Sequence, residues 1–86
     1  VGAGNGTAVR ALMTAGVDAH GVEPEARAVE AARAAGATTV VAGTLEDGAP
    51  PGPWDVIRMY QTLEHMPDPV GALRVARRML APGGRV

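Results

Sequence analysis

Cysteine is missing from the 86 residues, and so are lysine and phenylalanine. Without thiols there are no disulfides and no thiolate metal sites, and nothing in the composition calls for an oxidising compartment. Without lysine the phosphate-binding pattern G-x-x-x-x-G-K-[ST] cannot occur anywhere in the chain. Trp54 and Tyr60 are the only aromatic residues. The core must therefore be Val, Leu, Met and Ala, small side chains that let backbone elements approach closely. The charges nearly cancel, to a formal −1. That argues against a bulk nucleic-acid binder, which neutralises phosphates with a basic surface. No apolar run nears the roughly 20 residues of a membrane-spanning helix, and no signal peptide is expected. These absences predict a cytoplasmic protein with no nucleic-acid partner and no membrane span.

Apolar residues make up 47% of the chain, which places it among globular rather than disordered sequences. It is short for an α/β enzyme, whose domains usually need roughly 100–200 residues. It opens on a glycine loop without an initiating Met and stops at "GGRV". The expectation is one incomplete domain, a piece of a longer chain cut inside its first strand and at the start of another. Such a piece exposes a sheet edge, so in isolation it is expected to express poorly and to bind its ligand weakly.

Val1 reads as the end of a strand and Gly2–Thr7 as a loop. From Ala8 the apolar positions Val9, Leu12, Met13 and Gly16 keep helical spacing. Asp18–Glu23 reads as a short strand, with His20 on its face or in the core. Pro24 suits the first turn of an Ala-rich helix that points Ala26, Val29 and Ala32 inward and stops at Gly36. Ala37–Gly43 is a β-branched strand, 44–53 a Pro/Gly loop, and Trp54–Tyr60 the next strand. "QTLEHMPDP" is a turn with room for a short helix. The clearest helix follows, with Asp68 as N-cap, Pro69 as first residue, and Val70, Leu73, Val75 or Ala76, and Leu80 as its apolar stripe. Arg74, Arg77 and Arg78 make a solvated face. Pro82-Gly83-Gly84 ends the helix, and Arg85-Val86 enters another strand. Strands alternating with helices predict an α/β fold with a doubly wound parallel sheet.

A glycine loop between a strand and a helix start presents backbone N–H groups to a ligand. The dinucleotide pattern G-x-G-x-x-G is met at Gly2 and Gly4, but Thr7 stands at its third position, and the actual spacing is G-x-G-x-G. Glu23 falls at the carboxyl end of the second strand, where a carboxylate can accept hydrogen bonds from both hydroxyls of a ribose. It could equally be a helix-start carboxylate favoured by the dipole. Loop and carboxylate together indicate a nucleoside ligand without saying which.

"VGAGNGT", "GVEP" and "WDVIRMYQTLEHMPDPVGALRVARRMLAPGGRV" resemble, respectively, the first motif, the second-strand end and the fourth-strand region of class I S-adenosylmethionine-dependent methyltransferases. The resemblance covers nearly the whole chain. "LEHMPDP" with "LAPGGRV" is its most specific part and is similar to the small-molecule and quinone-biosynthesis type. The resemblance implies the central part of a Rossmann-like methyltransferase fold, S-adenosyl-L-methionine as cofactor and a small-molecule acceptor methylated on O, N or C. It places the backbone of Gly2, Gly4, Asn5 and Gly6 near the methionine moiety, Glu23 on the ribose and Pro24 against adenine. Thr44 stands where relatives often have an Asp facing the adenine amino group; Thr44 and the Leu45 N–H could serve there, with Glu46 and Asp47 nearby. Tyr60 and Gln61 match positions facing the sulfonium and its methyl group. In ubiquinone-pathway O-methyltransferases this stretch reads E-x-x-E-H and can ligate a divalent metal. Here Gln61 replaces the first Glu, which leaves Glu64 and His65, too few for a cation that prefers about six oxygens, so no metal is expected. His65 is either a turn-capping histidine or a general base near the acceptor. The competing readings are an NAD(P)-dependent oxidoreductase, which shares the loop and Glu23, and a non-catalytic adenosylmethionine-binding domain.

Overall fold

A computed structural model describes residues 1–86. Helix α1 covers Thr7–Thr14, strand β1 Gly21–Glu23, helix α2 Ala26–Ala34, strand β2 Val40–Ala42 and strand β3 Trp54–Val56. A 3₁₀ turn at Leu63–His65, helix α3 Pro69–Met79 and strand β4 Leu80–Arg85 complete the order.

The helix ends follow their capping residues. After α1, Val17 N–H donates to Leu12 O at 3.0 Å and Gly16 N–H to Met13 O at 3.0 Å. After α2, Ala37 N–H reaches Ala32 O at 2.9 Å and Gly36 N–H reaches Arg33 O at 3.1 Å. This paired pattern satisfies the last carbonyls of each helix and needs a left-handed residue, which Gly16 and Gly36 supply with φ 83° and 105°. Asp68 caps α3, its Oδ1 accepting from Gly71 N–H at 3.0 Å, with Pro69 at the first position. Pro24 differs from expectation. It precedes α2, whose N-cap is Glu25, because the Glu25 N–H is already held by the Glu23 carboxylate at 2.8 Å.

The strands are shorter than the sequence suggests. β1 begins at Gly21 rather than Asp18, because the Thr39 hydroxyl takes the Ala19 carbonyl at 2.6 Å in place of a backbone rung. His20 accordingly is not a core residue. Its ring is half-exposed, 2.9 Å from Asp18 Oδ1 and 5.0 Å from the Trp54 ring. β3 stops at Val56 instead of Tyr60. Helix α3 stops at Met79, before Pro82-Gly83-Gly84. Proline disfavours helical backbone at the residue before it and has no N–H for the ladder. Those three residues instead form an irregular bulge within β4, between the pairs Trp54–Leu80 and Val56–Arg85.

β1 pairs with β2 and β3 with β4, both parallel, as two separate two-stranded ladders. Residues 1–3 join them. Gly2 and Ala3 N–H donate to Val22 O at 2.9 and 3.1 Å, and the Val1 amine donates to Arg58 O at 2.8 Å. Val1 therefore occupies the central strand position without forming a named strand. The spatial order is β2, β1, residues 1–3, β3, β4.

Each half has its own core. Val9, Ala19, Val29, Ala32, Ala37 and Val40 form one, with Ala3 packed against it. Leu45, Ile57, Ala72 and Ala76 form the other, with Val1 against it. Alanines bring the helices close: Ala32, Ala72 and Ala76 are 0% exposed. The expected stripe of α3 holds at Val75, Ala76 and Leu80 but not at Val70 and Leu73, which are 56% and 39% exposed, because Ala72 permits the closer approach. Ala26 is likewise exposed, while Val29 and Ala32 are buried as expected. Behind residues 1–3 an apolar cleft of about 470 Å³ separates the ladders and leaves Leu12, Val17 and Val56 partly uncovered.

Candidate active site

Open parallel sheets bind ligands beyond the carboxyl ends of their strands, where the chain leaves in different directions. A second cavity, also about 470 Å³, lies there. Its wall is made of Val1, Gly2 and Val22–Pro24, then Gly43–Glu46, Tyr60–Thr62 and His65–Asp68. The volume falls within the roughly 300–1,000 Å³ usual for small-molecule sites.

Glu23 organises this wall. It is 9% exposed. Its Oε1 accepts from Gly4 N–H and its Oε2 from Glu25 N–H, both at 2.8 Å. One carboxylate thus ties the glycine loop to the approach of α2. An ionised carboxylate offers about four acceptor positions. These two bonds use half of them and leave the rest available to a ligand.

The structure brings Gly2, Glu23, Pro24, Thr44, Leu45, Tyr60, Gln61 and His65 onto one cavity wall. Gly4, Asn5 and Gly6 are not on it. Gly4 acts through its N–H on Glu23. The Asn5 side chain turns back, accepting from Thr7 N–H at 3.3 Å and Thr7 Oγ1 at 2.8 Å. Gly6 is a packing position: a Cβ there would lie 2.7 Å from Ala37 Cβ and 2.8 Å from Ala32 Cβ.

Thr44 is internally bonded. Its hydroxyl accepts from Asp47 N–H at 3.0 Å and its N–H donates to Asp47 O at 2.7 Å. The Leu45 side chain is buried, and its N–H has no protein acceptor. The Tyr60 ring lies under the Arg58 guanidinium at 4.9 Å. The His65 side chain is 78% exposed, with Nε2 3.8 Å from Glu64 Oε1. No three His, Cys, Asp or Glu side chains gather anywhere as a metal cage would require. Glu23, Glu46 and Asp68 contribute carboxylates to the wall, and no arginine reaches it.

Sequence reasoning placed Val1 only as a strand end, missed Val22, Gly43, Thr62, Met66 and Pro67 on this wall, and placed Asp68 only as a helix cap. "MPDP" carried the signal for the last three, since a turn so rich in proline directly after a strand exit must fold beside it. Thr62 had none.

A glycine loop feeding a helix and a carboxylate at the end of β1, set around a cavity at the strand ends, are the features of an open α/β domain with a small-molecule site at its strand ends. Comparison with known proteins narrows the class: the chain belongs to the family described as "Methyltransferase domain", which it matches over residues 1–86. It is 36% identical over 94 residues to the ubiquinone biosynthesis O-methyltransferase of Methylococcus capsulatus, covering 100% of this chain and 39% of that protein. The enzymes of the same name from Pectobacterium carotovorum and Vibrio parahaemolyticus are 31% and 30% identical, again over the whole chain, of which they share 39% and 40% of their own length. The chain therefore spans about two-fifths of the relatives it matches. No solved structure matches it.

Proposed function

We propose that this chain binds S-adenosylmethionine and forms the cofactor side of an enzyme that methylates a small-molecule acceptor. The observation that carries this reading is Glu23. It is buried, it is bonded to the glycine loop, and its free acceptor positions border the cavity. A ribose placed there can donate both hydroxyls to one carboxylate. Pro24 offers an apolar surface beside it for the adenine ring, and the Leu45 N–H a free donor for a ring nitrogen.

Charge favours the sulfonium over a dinucleotide. A wall with Glu23, Glu46 and Asp68 and no arginine suits a cation and repels a pyrophosphate. Thr7 in place of the third dinucleotide glycine agrees. The names of the relatives favour a hydroxyl oxygen as the methylated atom.

S-adenosylmethionine supplies a methyl carbon that an acceptor lone pair attacks in line, the carbon–sulfur electron pair leaving with a neutral thioether. The chain's task is alignment, which can supply roughly 7–11 kcal/mol of a barrier. Glu23 and the Gly2 backbone fix one end of the ligand, and Tyr60 and Gln61 line the wall where acceptor and methyl group meet. His65, exposed at the cavity and 3.8 Å from the Glu64 carboxylate, takes the acceptor's proton as it leaves.

The test is calorimetric titration of the full-length protein with S-adenosylmethionine and, separately, NADH. Micromolar binding of the first and none of the second is expected. Tight NADH binding, or no S-adenosylmethionine binding, overturns the reading. With the cofactor bound, His65→Gln should leave affinity unchanged and lower kcat by about 10²- to 10⁴-fold.

A further inference from the structure

The turn that carries Gln61 is held from behind. Gln61 has φ 51° and is the only residue other than glycine with a positive φ. Side chains are crowded in that region, so the conformation persists only where neighbours impose it. Thr62 supplies the constraint. Its hydroxyl donates to Tyr60 O at 2.9 Å and closes a small ring around Gln61. The same side chain, hydroxyl and methyl both, lies against the glycine loop. A Cβ on Gly2 would be 2.5 Å from Thr62 Oγ1 and 2.9 Å from its Cγ2. Gly2 has no space for a side chain because Thr62 fills it.

The contact links the two ladders at the mouth of the cavity. Gly2 N–H is bonded to Val22 O at 2.9 Å, next to Glu23. Gly2, Glu23, Gln61 and Thr62 all border the cavity. A continuous path of contacts runs from the carboxylate through Val22 and Gly2 to Thr62 and the Gln61 turn.

We propose that Thr62 is a positioning residue. Its hydroxyl holds Gln61 in the left-handed conformation, and its methyl and hydroxyl key that turn onto Gly2. The spacing between the Glu23 wall and the Gln61 wall is thereby set before a ligand arrives. Thr62 acts through Gln61 and Gly2 rather than on the ligand, and its catalytic meaning rests on the S-adenosylmethionine reading of the cavity.

Two variants of the full-length protein separate the hydroxyl from the bulk of the side chain. Thr62→Val keeps the shape and removes the donor, while Thr62→Ser keeps the donor and removes the methyl group. The expected result for Thr62→Val is S-adenosylmethionine binding weakened roughly 3- to 10-fold, the range of one hydrogen bond, with a melting midpoint close to native. Thr62→Ser should bind within about twofold of native on the same scale. Backbone carbon chemical shifts of Gln61 give a second readout that needs no ligand. They should report the left-handed conformation in native protein and in Thr62→Ser, and its loss in Thr62→Val. Unchanged Gln61 shifts in Thr62→Val overturn the proposal, as does a Thr62→Ser variant that binds as weakly as Thr62→Val. If native protein does not bind S-adenosylmethionine, the functional reading fails alone, and the Gln61 shifts still decide the role of Thr62.

Discussion

Replacing Glu23 by Gln changes one oxygen to an amide and little else in shape. Both carboxylate oxygens accept backbone N–H groups at 2.8 Å, from Gly4 on one side and Glu25 on the other. Glutamine has a single side-chain acceptor. Whichever way the amide is turned, its NH₂ group faces a backbone donor, and one N–H loses its partner in a site only 9% exposed. A hydrogen bond to a charged group is worth about 1.5–3 kcal/mol, and the surviving bond weakens because its acceptor is now neutral. The sum is about 2–4 kcal/mol, a large part of the 5–15 kcal/mol that holds a typical domain together. Urea unfolding of native and variant protein measures it as a lower midpoint in the variant. Affinity for S-adenosylmethionine should fall by about 10- to 100-fold in the same variant, since ribose hydroxyls and backbone donors use one carboxylate. Glu23→Asp keeps the charge but is too short to span both donors, so it should fall between native and Gln in each assay. A Glu23→Gln protein with native stability and native affinity would refute both the structural and the binding role assigned to this side chain.

Gly6→Ala should destabilise by about 2–4 kcal/mol, from a Cβ 2.7 Å from Ala37 Cβ and a backbone at φ 78°, and chemical denaturation measures this. Asp68→Ala removes the α3 cap and should cost about 1 kcal/mol, seen as a lower urea midpoint, with Asp68→Asn recovering most of it.

Local features were the most legible in the sequence. Gly16, Gly36 and Asp68 end or begin their helices because capping depends on residues a few positions apart. The place of Glu23 at the end of β1 was also readable, from the strand pattern before it and the proline after it. Its bond to Gly4 was not, because that requires knowing how close the loop comes. Strand lengths were overestimated where a side chain replaced a rung, as Thr39 does at Ala19. The α3 stripe was misjudged in its first half because hydrophobicity alone favours Val70 and Leu73, whereas close approach favours Ala72. Thr62 shows the largest gap. Nothing in its neighbours signals a steric partner at Gly2, which only the assembled sheet brings beside it.

The seam at residues 1–3 has a thermodynamic consequence. Consecutive side chains there belong to different cores, Val1 to one and Ala3 to the other, and three backbone hydrogen bonds span the gap. The cavity crosses the same line, with Glu23 and Pro24 on one bank and Tyr60 and His65 on the opposite one. A molecule gripping both banks acts as a bolt through the joint, and part of its binding free energy appears as cooperativity between halves that would otherwise loosen separately. Melting of the ligand-free protein should therefore be broad. Saturation should sharpen it into a single transition as well as raise its midpoint, so that the width of the melting curve, more than its position, reports occupancy.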